Sequence, residues 1–273
     1  MLMIRSSRRL LIGAITVVAG LLGGCASLDE AGRSRLDLVK QRDELLCGVS
    51  GKIPGFSFLK TDGGYEGLDV DVCRAMAAAF LGDAEKVQFR PLTAPERFTA
   101  LRSGEIDLLS RNTTRTLSRD AVGGNGVSFG PVVFHDGQAL MVKKDSGFKS
   151  MEDLSGEAIC VGSGTTTEQN LNDAFEARKL PYTPIKYQDL NQVVGGYAQG
   201  RCAAMTSDRS QLASARSGLP DAEQHVILED TLSKEPLAPA VVGGDQAMAD
   251  AMRWVVYALI EAEERGITPG QPR

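Results

Sequence analysis

The chain has 273 residues, of which 42% are hydrophobic and 24% are charged, a composition that is ordinary for a globular protein. This length is enough for two domains of modest size. The net charge of −5 and the aromatic content of 5% exclude the basic surface and the stacking side chains on which nucleic-acid binding depends. We therefore predict no nucleic-acid partner.

The N-terminal residues have the features of an export signal. Arginines precede an apolar run, Leu10–Leu22, which has the length of a signal segment and is too short to span a bilayer. Small residues then lead to Cys25 in an arrangement that resembles a bacterial lipobox. We predict a lipoprotein signal peptide over 1–24, a lipidated Cys25, a tether over 25–41, and a periplasmic or cell-exterior location with the lipid as the only membrane contact. A plain secretory signal in which Cys25 has no role is the alternative.

Four further cysteines, Cys47, Cys73, Cys160 and Cys202, are not spaced as C-x-x-C, so neither a metal site nor a redox cofactor is predicted. An even number of cysteines in an exported chain favours disulfides. Of the three possible pairings, Cys47 with Cys73 and Cys160 with Cys202 keeps each bridge within one predicted lobe. Buried free thiols are the alternative.

Strands and helices alternate twice along the chain. The first series is a strand over Leu45–Ser50, a helix over Asp69–Leu81, a strand over Val87–Leu92, a helix from the capping box Thr93–Glu96 to about Arg102, and a strand over Ile106–Ser110. The second is a strand over Ala158–Gly162, a helix from Thr165 to about Arg178, a strand over Thr183–Tyr187, a helix over Asn191–Gln199, and a strand over Cys202–Thr206. This order predicts an α/β fold with two similar lobes, each a mostly parallel sheet flanked by helices.

Two extended segments are predicted to connect the lobes as a hinge. They are Phe134–Lys144 and residues 226–242, and a last helix follows over Gln246–Glu264. On this basis lobe 1 comprises 42–138 plus 229–273, and lobe 2 comprises 139–228.

Polar segments follow the strands where a parallel sheet binds its ligands, at the carboxyl ends. The turn Gly162–Thr167 offers hydroxyls and a helix N-terminus, which suit a carboxylate. Arg119 offers a guanidinium and Asp208 a carboxylate, and together these charges meet the needs of a zwitterion. Taken singly, Thr166 is also read as a helix cap, Asp208 as the N-cap of its own capping box, and Arg119 as a solvated surface charge.

From Leu36 to Thr268 the chain resembles the family 3 solute-binding proteins of polar amino-acid ABC importers, and in particular their general L-amino-acid-binding branch. The resemblance is carried by Leu46–Val49, Gly67–Ala75, Pro91–Ala94, Arg97–Leu101, Asp107–Thr114, Ser163–Glu168, Gly200–Cys202, Thr206–Asp208 and Arg253–Leu259.

The resemblance implies a two-lobed fold of the periplasmic-binding-protein type II kind, which closes about a hinge onto a free amino acid. It implies that the ligand contacts Asn112, Thr114, Arg119, Thr166 and Asp208, and that Ser50 and Ile53 line the side-chain pocket. The expected function is that of a monomeric, non-enzymatic receptor, without cofactor or metal, that delivers a free L-amino acid to an ABC importer permease.

The chain departs from this branch at Arg115, where an aromatic residue is usual. An Arg115 that faces the cleft would favour an acidic side chain, whereas an Arg115 that points outward would have no such effect. An enzyme of the same fold, similar to a cyclohexadienyl or prephenate dehydratase, is one functional alternative, but it needs acid/base groups and the two histidines, His135 and His225, are not at strand ends. An amino-acid sensor lipoprotein is the other alternative.

Overall fold

The computed structural model describes residues 32–120 and 123–268, and the folded unit begins at Ser34. Its α-helices are α1 (Arg35–Arg42), α2 (Leu68–Leu81), α3 (Arg97–Ser103), α4 (Leu117–Asp120), α5 (Thr166–Ala177), α6 (Leu190–Ala198), α7 (Arg209–Ser217) and α8 (Gln246–Glu264). Its strands are β1 (Leu45–Val49), β2 (Lys52–Ile53), β3 (Ser57–Leu59), β4 (Tyr65–Glu66), β5 (Val87–Pro91), β6 (Leu108–Leu109), β7 (Val127–Phe129), β8 (Phe134–Lys143), β9 (Ala158–Gly162), β10 (Thr183–Tyr187), β11 (Ala204–Asp208), β12 (His225–Ile227), β13 (Ser233–Leu237) and β14 (Ala240–Val242).

The first sheet has the strand order β5-β1-β6-β14-β7. Strands β1, β5 and β6 are parallel, whereas β14 is antiparallel to both of its neighbours. Alternate residues of β1, such as Leu45 and Cys47, are fully buried and pack with Met76 of α2 and Val256 of α8. Burial of this apolar cluster stabilises the first lobe by roughly 25 cal/mol for each Å² removed from water.

The second sheet has the order β10-β9-β11-β8-β12, and β13 also pairs with β8. Strands β9, β10 and β11 are parallel, and β8 runs antiparallel to β11. Ile159 and Phe175 lie in the core on one side of this sheet, and Cys160 and Tyr197 lie in the core on the other. The two-lobed α/β fold is therefore as predicted, although each sheet is mixed because antiparallel strands join its parallel half.

Two strands cross between the sheets. The first half of β8 pairs with β13 in antiparallel register, from Phe134 opposite Leu237 to Gln138 opposite Ser233. Leu237 also forms a bridge with Thr114, which ties this ribbon to the first lobe. The ribbon has the position expected of a two-segment hinge, while the residue limits proposed for the lobes stay a prediction.

The start of the folded unit differs from the predicted limit of the tether. Part of the segment 25–41 forms α1, in which Val39 is fully buried in the core of the first lobe. The Ser34 hydroxyl donates a hydrogen bond to Asp245 at 2.8 Å, and the amide of Arg35 donates to the same carboxylate. Residues 34–41 therefore belong to the first lobe, whereas the predicted signal peptide (1–24) and Cys25 lie outside the described residues.

The strand predicted over Cys202–Thr206 begins and ends two residues later, at Ala204 and Asp208. It is prolonged because Asp208 pairs with Gln138 of the hinge strand, a partner 70 residues away that local sequence cannot reveal. This shift places Asp208 at the end of a buried strand. Among the described residues, no helix is both long and apolar enough to cross a membrane.

Each lobe contains one disulfide, with the pairing predicted from the sequence. Cys47 of β1 is bonded to Cys73 of α2 with a Cα–Cα distance of 6.1 Å. Cys160 of β9 is bonded to Cys202, just before β11, with a Cα–Cα distance of 5.6 Å. Both bridges join a strand of the sheet to an element that is distant in sequence.

We predict that reduction of both disulfides lowers the free energy of unfolding. The bridges close loops of 26 and 42 residues, each of which stabilises by roughly 3 to 4 kcal/mol on the chain-entropy model. Denaturant unfolding with and without a thiol reductant measures the change. A Cys160→Ala/Cys202→Ala variant measures the contribution of the second-lobe disulfide alone. Peptide mapping under non-reducing conditions that finds free thiols or crossed pairs would contradict the assignment.

Candidate functional site

A cavity lies between the two sheets at the carboxyl ends of their parallel strands, where the hinge ribbon joins the lobes. All seven residues predicted to bind the ligand line it: Ser50, Ile53, Asn112, Thr114, Arg119, Thr166 and Asp208. The first five belong to the first lobe and the last two to the second. The structure thus brings together residues up to 158 positions apart in sequence, and their contact with a ligand stays a prediction.

Arg119 is a buried side chain on α4, with 7% of its surface exposed. Its guanidinium donates a hydrogen bond to the Thr114 carbonyl at 2.8 Å and lies 5.3 Å from the centre of the Phe98 ring. Burial lowers the pKa of Arg119 to about 10, against the opposing attraction of Glu235 and Asp208. The alternative of a solvated surface charge is therefore wrong, and this cation lies in the cavity wall.

Asp208 ends β11 and occupies the N-cap position of α7, yet its side chain makes no capping hydrogen bond. Its carboxylate accepts a hydrogen bond from the Gln211 side chain at 3.1 Å. Burial raises the pKa of Asp208 well above its usual range, and the nearby carboxylates of Glu235 and Asp136 raise it further. A carboxylate held in this way would gain from a cationic partner that arrives in the cavity.

Thr165 and Thr166, at the start of α5, have different roles. Thr165 is the N-cap, because its hydroxyl accepts a hydrogen bond from the amide of Glu168 at 3.1 Å. Thr166 lies in the cavity wall, and its hydroxyl donates to Glu235 at 2.8 Å. Gly164 has φ +68°, a left-handed backbone conformation that favours glycine in the turn before α5.

Two buried arginines of the cavity wall were missed by the sequence analysis. Arg111 donates to the Leu92 carbonyl at 2.8 Å, and burial lowers its pKa to about 10 although Asp69 lies nearby. Arg97 is 3% exposed, and its Nε has no hydrogen-bond partner. Burial lowers the pKa of Arg97 well below its usual range, and the charges of Arg119 and Arg111 lower it further.

One feature of the sequence could have identified Arg97 as a residue of the site. It lies in the first turn of a helix that follows a parallel strand, and such helix N-termini face the ligand edge of the sheet. Its burial, however, depends on Phe98, whose ring centre lies 5.0 Å from the guanidinium, and on the approach of the second lobe. There, Arg97 donates a long hydrogen bond of 3.5 Å to the Gly164 carbonyl.

The two lobes contact each other through polar groups around the cavity. The Gln211 side chain of the second lobe donates to Asn112 of the first. At the rim, the Lys52 ammonium lies 2.9 Å from the Asp189 carboxylate, which also caps α6. The side-chain nitrogen of Asn112, Nδ2, is buried without a hydrogen-bond partner and is available to donate to a ligand.

Other candidates from the sequence lie outside the cavity. Arg115 is exposed and pairs with Asp120 at 2.9 Å, so it points outward. His135 is exposed on β8, and the ring of His225 is hydrogen-bonded to Tyr197 at 2.8 Å. Over the ranges 32–120 and 123–268, His, Cys, Asp and Glu side chains form no group that could hold a metal ion.

The sequence model of the bacterial extracellular solute-binding proteins, family 3, matches residues 45–265 of this chain. The chain belongs to this family. The predicted membership and the two-lobed fold are thereby confirmed.

Several relatives are similar over nearly the whole chain. The general L-amino acid-binding periplasmic protein AapJ of Rhizobium johnstonii is 46% identical over 260 residues, or 95% of this chain and 74% of the relative. The glutamate/glutamine/aspartate/asparagine-binding protein BztA of Rhodobacter capsulatus is 47% identical over 92% of this chain and 72% of its own length. These relatives are binding proteins, which supports an amino-acid receptor over the enzyme and sensor alternatives.

A solved structure of an ABC transporter periplasmic binding protein from Brucella ovis, with glutathione bound, has the same fold. It superposes with a TM-score of 0.82 at 44% identity, over 86% of this chain and 74% of that chain. The fold of the two lobes is therefore shared with a binding protein that holds glutathione.

We predict that amino-acid binding releases a proton from Asp208. Contact with a ligand ammonium stabilises the ionised carboxylate, whereas in the free protein burial keeps its pKa raised. Affinity should therefore weaken as pH falls below the raised pKa of Asp208 in the free protein, and it should level off above that pKa. Calorimetry in buffers of different ionisation enthalpy measures the released proton.

An Asp208→Asn variant should bind more weakly and lose this proton release, while a variant at exposed Asp221, Asp221→Asn, should retain it. Equal proton release in the wild type and in Asp208→Asn would show that another group titrates on binding.

Proposed function

We propose that this protein is an extracytoplasmic receptor that captures a free L-amino acid between its lobes and presents the closed form to the permease of an ABC importer. The observation that carries the proposal is the convergence of Arg119 from the first lobe and Asp208 from the second on one cavity. A guanidinium and a carboxylate that face one another across a small cavity suit the α-carboxylate and the α-ammonium of an amino acid. The names of the relatives AapJ and BztA agree with this ligand class.

Closure of the lobes is the mechanism that the geometry supports. Only the closed arrangement offers both sets of charges to one ligand, so the ligand shifts the equilibrium between open and closed forms toward the closed one. Exclusion of water strengthens each charge-assisted hydrogen bond. The contacts between Gln211 and Asn112 and between Lys52 and Asp189 then hold the lobes together around the ligand.

The surplus of positive charge in the cavity favours a ligand with a second anionic group. The charge of Arg111 is countered by Asp69, and Arg119 is assigned to the α-carboxylate. Arg97 retains a partnerless Nε and lies among other cations. Since leaving a buried guanidinium without an anion is costly, we propose that a side-chain carboxylate, as in glutamate or aspartate, is preferred over an aliphatic side chain.

The remaining parts of the proposal follow from the N-terminal sequence and the family. Export through the segment 1–24 and lipidation of Cys25 would hold the receptor at the outer surface of a membrane. The receptor would act as a monomer, without cofactor, metal or enzymatic activity. The absence of histidine from the cavity wall supports binding over the acid/base chemistry of a dehydratase.

Substitution of Arg119 tests the main proposal. Arg119→Gln should weaken L-glutamate binding at least about 30-fold, because it leaves a buried ligand carboxylate without its charged partner. Arg115→Gln is the matched control, since this exposed arginine lies only four residues away and pairs with Asp120; its affinity should stay within about twofold of the wild type. Calorimetry measures both, and equal affinity of Arg119→Gln and the wild type would overturn the assignment.

Substitution of Arg97 tests the ligand preference. Arg97→Gln should weaken L-glutamate binding about 10-fold more than it weakens L-glutamine binding, because only glutamate carries the side-chain charge that Arg97 would meet. A thermal-shift comparison of the common amino acids on the mature protein ranks the ligands, since a ligand that binds the folded state raises its melting temperature. A wild type stabilised equally by leucine and glutamate would contradict the preference.

A further inference from the structure

A buried carboxylate behind the cavity connects two of its lining residues. Glu235 of the hinge strand β13 is 1% exposed and lies outside the cavity wall. One of its oxygens, Oε2, accepts hydrogen bonds from the hydroxyls of Thr114 at 2.5 Å and Thr166 at 2.8 Å. The other, Oε1, accepts from the Asn170 side chain at 2.8 Å and from Ser233. The two threonines come from different lobes, so Glu235 joins both halves of the site.

The hydrogen-bond chemistry of these groups restricts what the threonines can do. An ionised carboxylate only accepts hydrogen bonds, and a hydroxyl has one hydrogen to donate. When Thr114 and Thr166 each direct that hydrogen to Glu235, only their oxygen lone pairs are left to face the cavity. The two hydroxyl oxygens lie 3.4 Å apart, close enough for one ammonium group to donate to both.

We infer that Glu235 is a positioning residue that fixes Thr114 and Thr166 as hydrogen-bond acceptors for the ligand ammonium. The inference rests on the proposed amino-acid function. Glu235 does not touch the ligand itself. It orients two neutral hydroxyls so that they supplement the carboxylate of Asp208. The α-carboxylate is left to Arg119 and to the backbone amides at the N-terminus of α5. The receptor thereby distinguishes an amino acid from the corresponding hydroxy acid, whose neutral hydroxyl cannot donate to Asp208 and both threonines.

The substitution Glu235→Gln tests this role because the amide keeps the shape of the side chain. An amide nitrogen near the threonines would donate to them and turn a hydroxyl hydrogen toward the cavity, against the ammonium. The probes are L-glutamate and L-2-hydroxyglutarate, which differ only in the ammonium. We expect the wild type to favour L-glutamate strongly and the ratio of the two dissociation constants to fall about 10-fold or more in Glu235→Gln.

Controls separate this effect from a general loss of structure. Glu229→Gln, at an exposed glutamate in the segment before β13, should leave the ratio unchanged. Thr166→Val removes one acceptor and one hydrogen bond to Glu235 but keeps the carboxylate and its hydrogen bond from Thr114, so it should lower the same ratio even if Glu235→Gln fails to fold. Melting temperatures report the folding of each variant.

The outcomes are distinct. A wild type that binds no amino acid overturns the proposed function together with this inference. A wild type that binds L-glutamate, with a Glu235→Gln variant that keeps the ratio or loses both ligands equally, overturns the inference alone, as does an unchanged ratio in Thr166→Val.

Discussion

The architecture depends on opposite charges that are buried on two separate lobes, where only a bridging ligand compensates both at once. Arg97 and Arg119 are buried on the first lobe and Asp208 on the second. An isolated buried charge costs several kcal/mol, and the carbonyl and amide partners that these groups have within the protein offset only part of that cost. Burial lowers the pKa of each arginine and raises the pKa of Asp208, so in each case it favours the neutral form. These shifts follow from the incomplete pairing of the charges. A zwitterion carries both missing charges, so one bound ligand satisfies both sides.

The hinge ribbon belongs to the site as much as to the fold. Strand β13 pairs with β8 along the crossing, and within that pairing Glu235 lies opposite Asp136. A carboxylate at this position accepts hydrogen bonds from Thr114 of the first lobe and Thr166 of the second. Its hydrogen bonds to Thr114 and Thr166 therefore form together only when the lobes approach. The relative position of the lobes thus determines whether Glu235 of the ribbon can orient both hydroxyls of the cavity.

The sequence predicted well those parts that are encoded locally. Strands β9 and β10 were predicted to the residue. Strand β9 is a short apolar run that ends at Gly162, and β10 contains Thr183, Ile185 and Tyr187, which are residue types that favour strands. The cations and anions of the site were harder to identify. Arg119 and Asp208 were selected only because hydroxyl-rich strand ends and a family resemblance coincided, since each alone has an ordinary structural explanation.

Residues whose role depends on distant partners could not be identified from the sequence. Arginine is usually exposed, and nothing near Arg97 in the chain indicates that Gly164, 67 residues later, covers it. Glu235 lies in a segment predicted only as extended, and its partner Thr114 is 121 residues away. The extension of β11 to Asp208 likewise depends on a pairing across the sheet. Tertiary packing, and not local propensity, decides these features.

In the proposed function, selectivity and closure depend on the same guanidinium. Arg97 is on the first lobe, faces the proposed side-chain region, and reaches the Gly164 carbonyl of the second lobe through a long hydrogen bond of 3.5 Å. A ligand carboxylate beside Arg97 would pair with it and offset the repulsion that it receives from Arg119 and Arg111. Because closure excludes water from the cavity, this ion pair is stronger in the closed form than in the open one. The free energy of closure therefore depends on the charge of the side chain, and an acidic ligand gains affinity through the movement of the lobes as well as through its direct contacts.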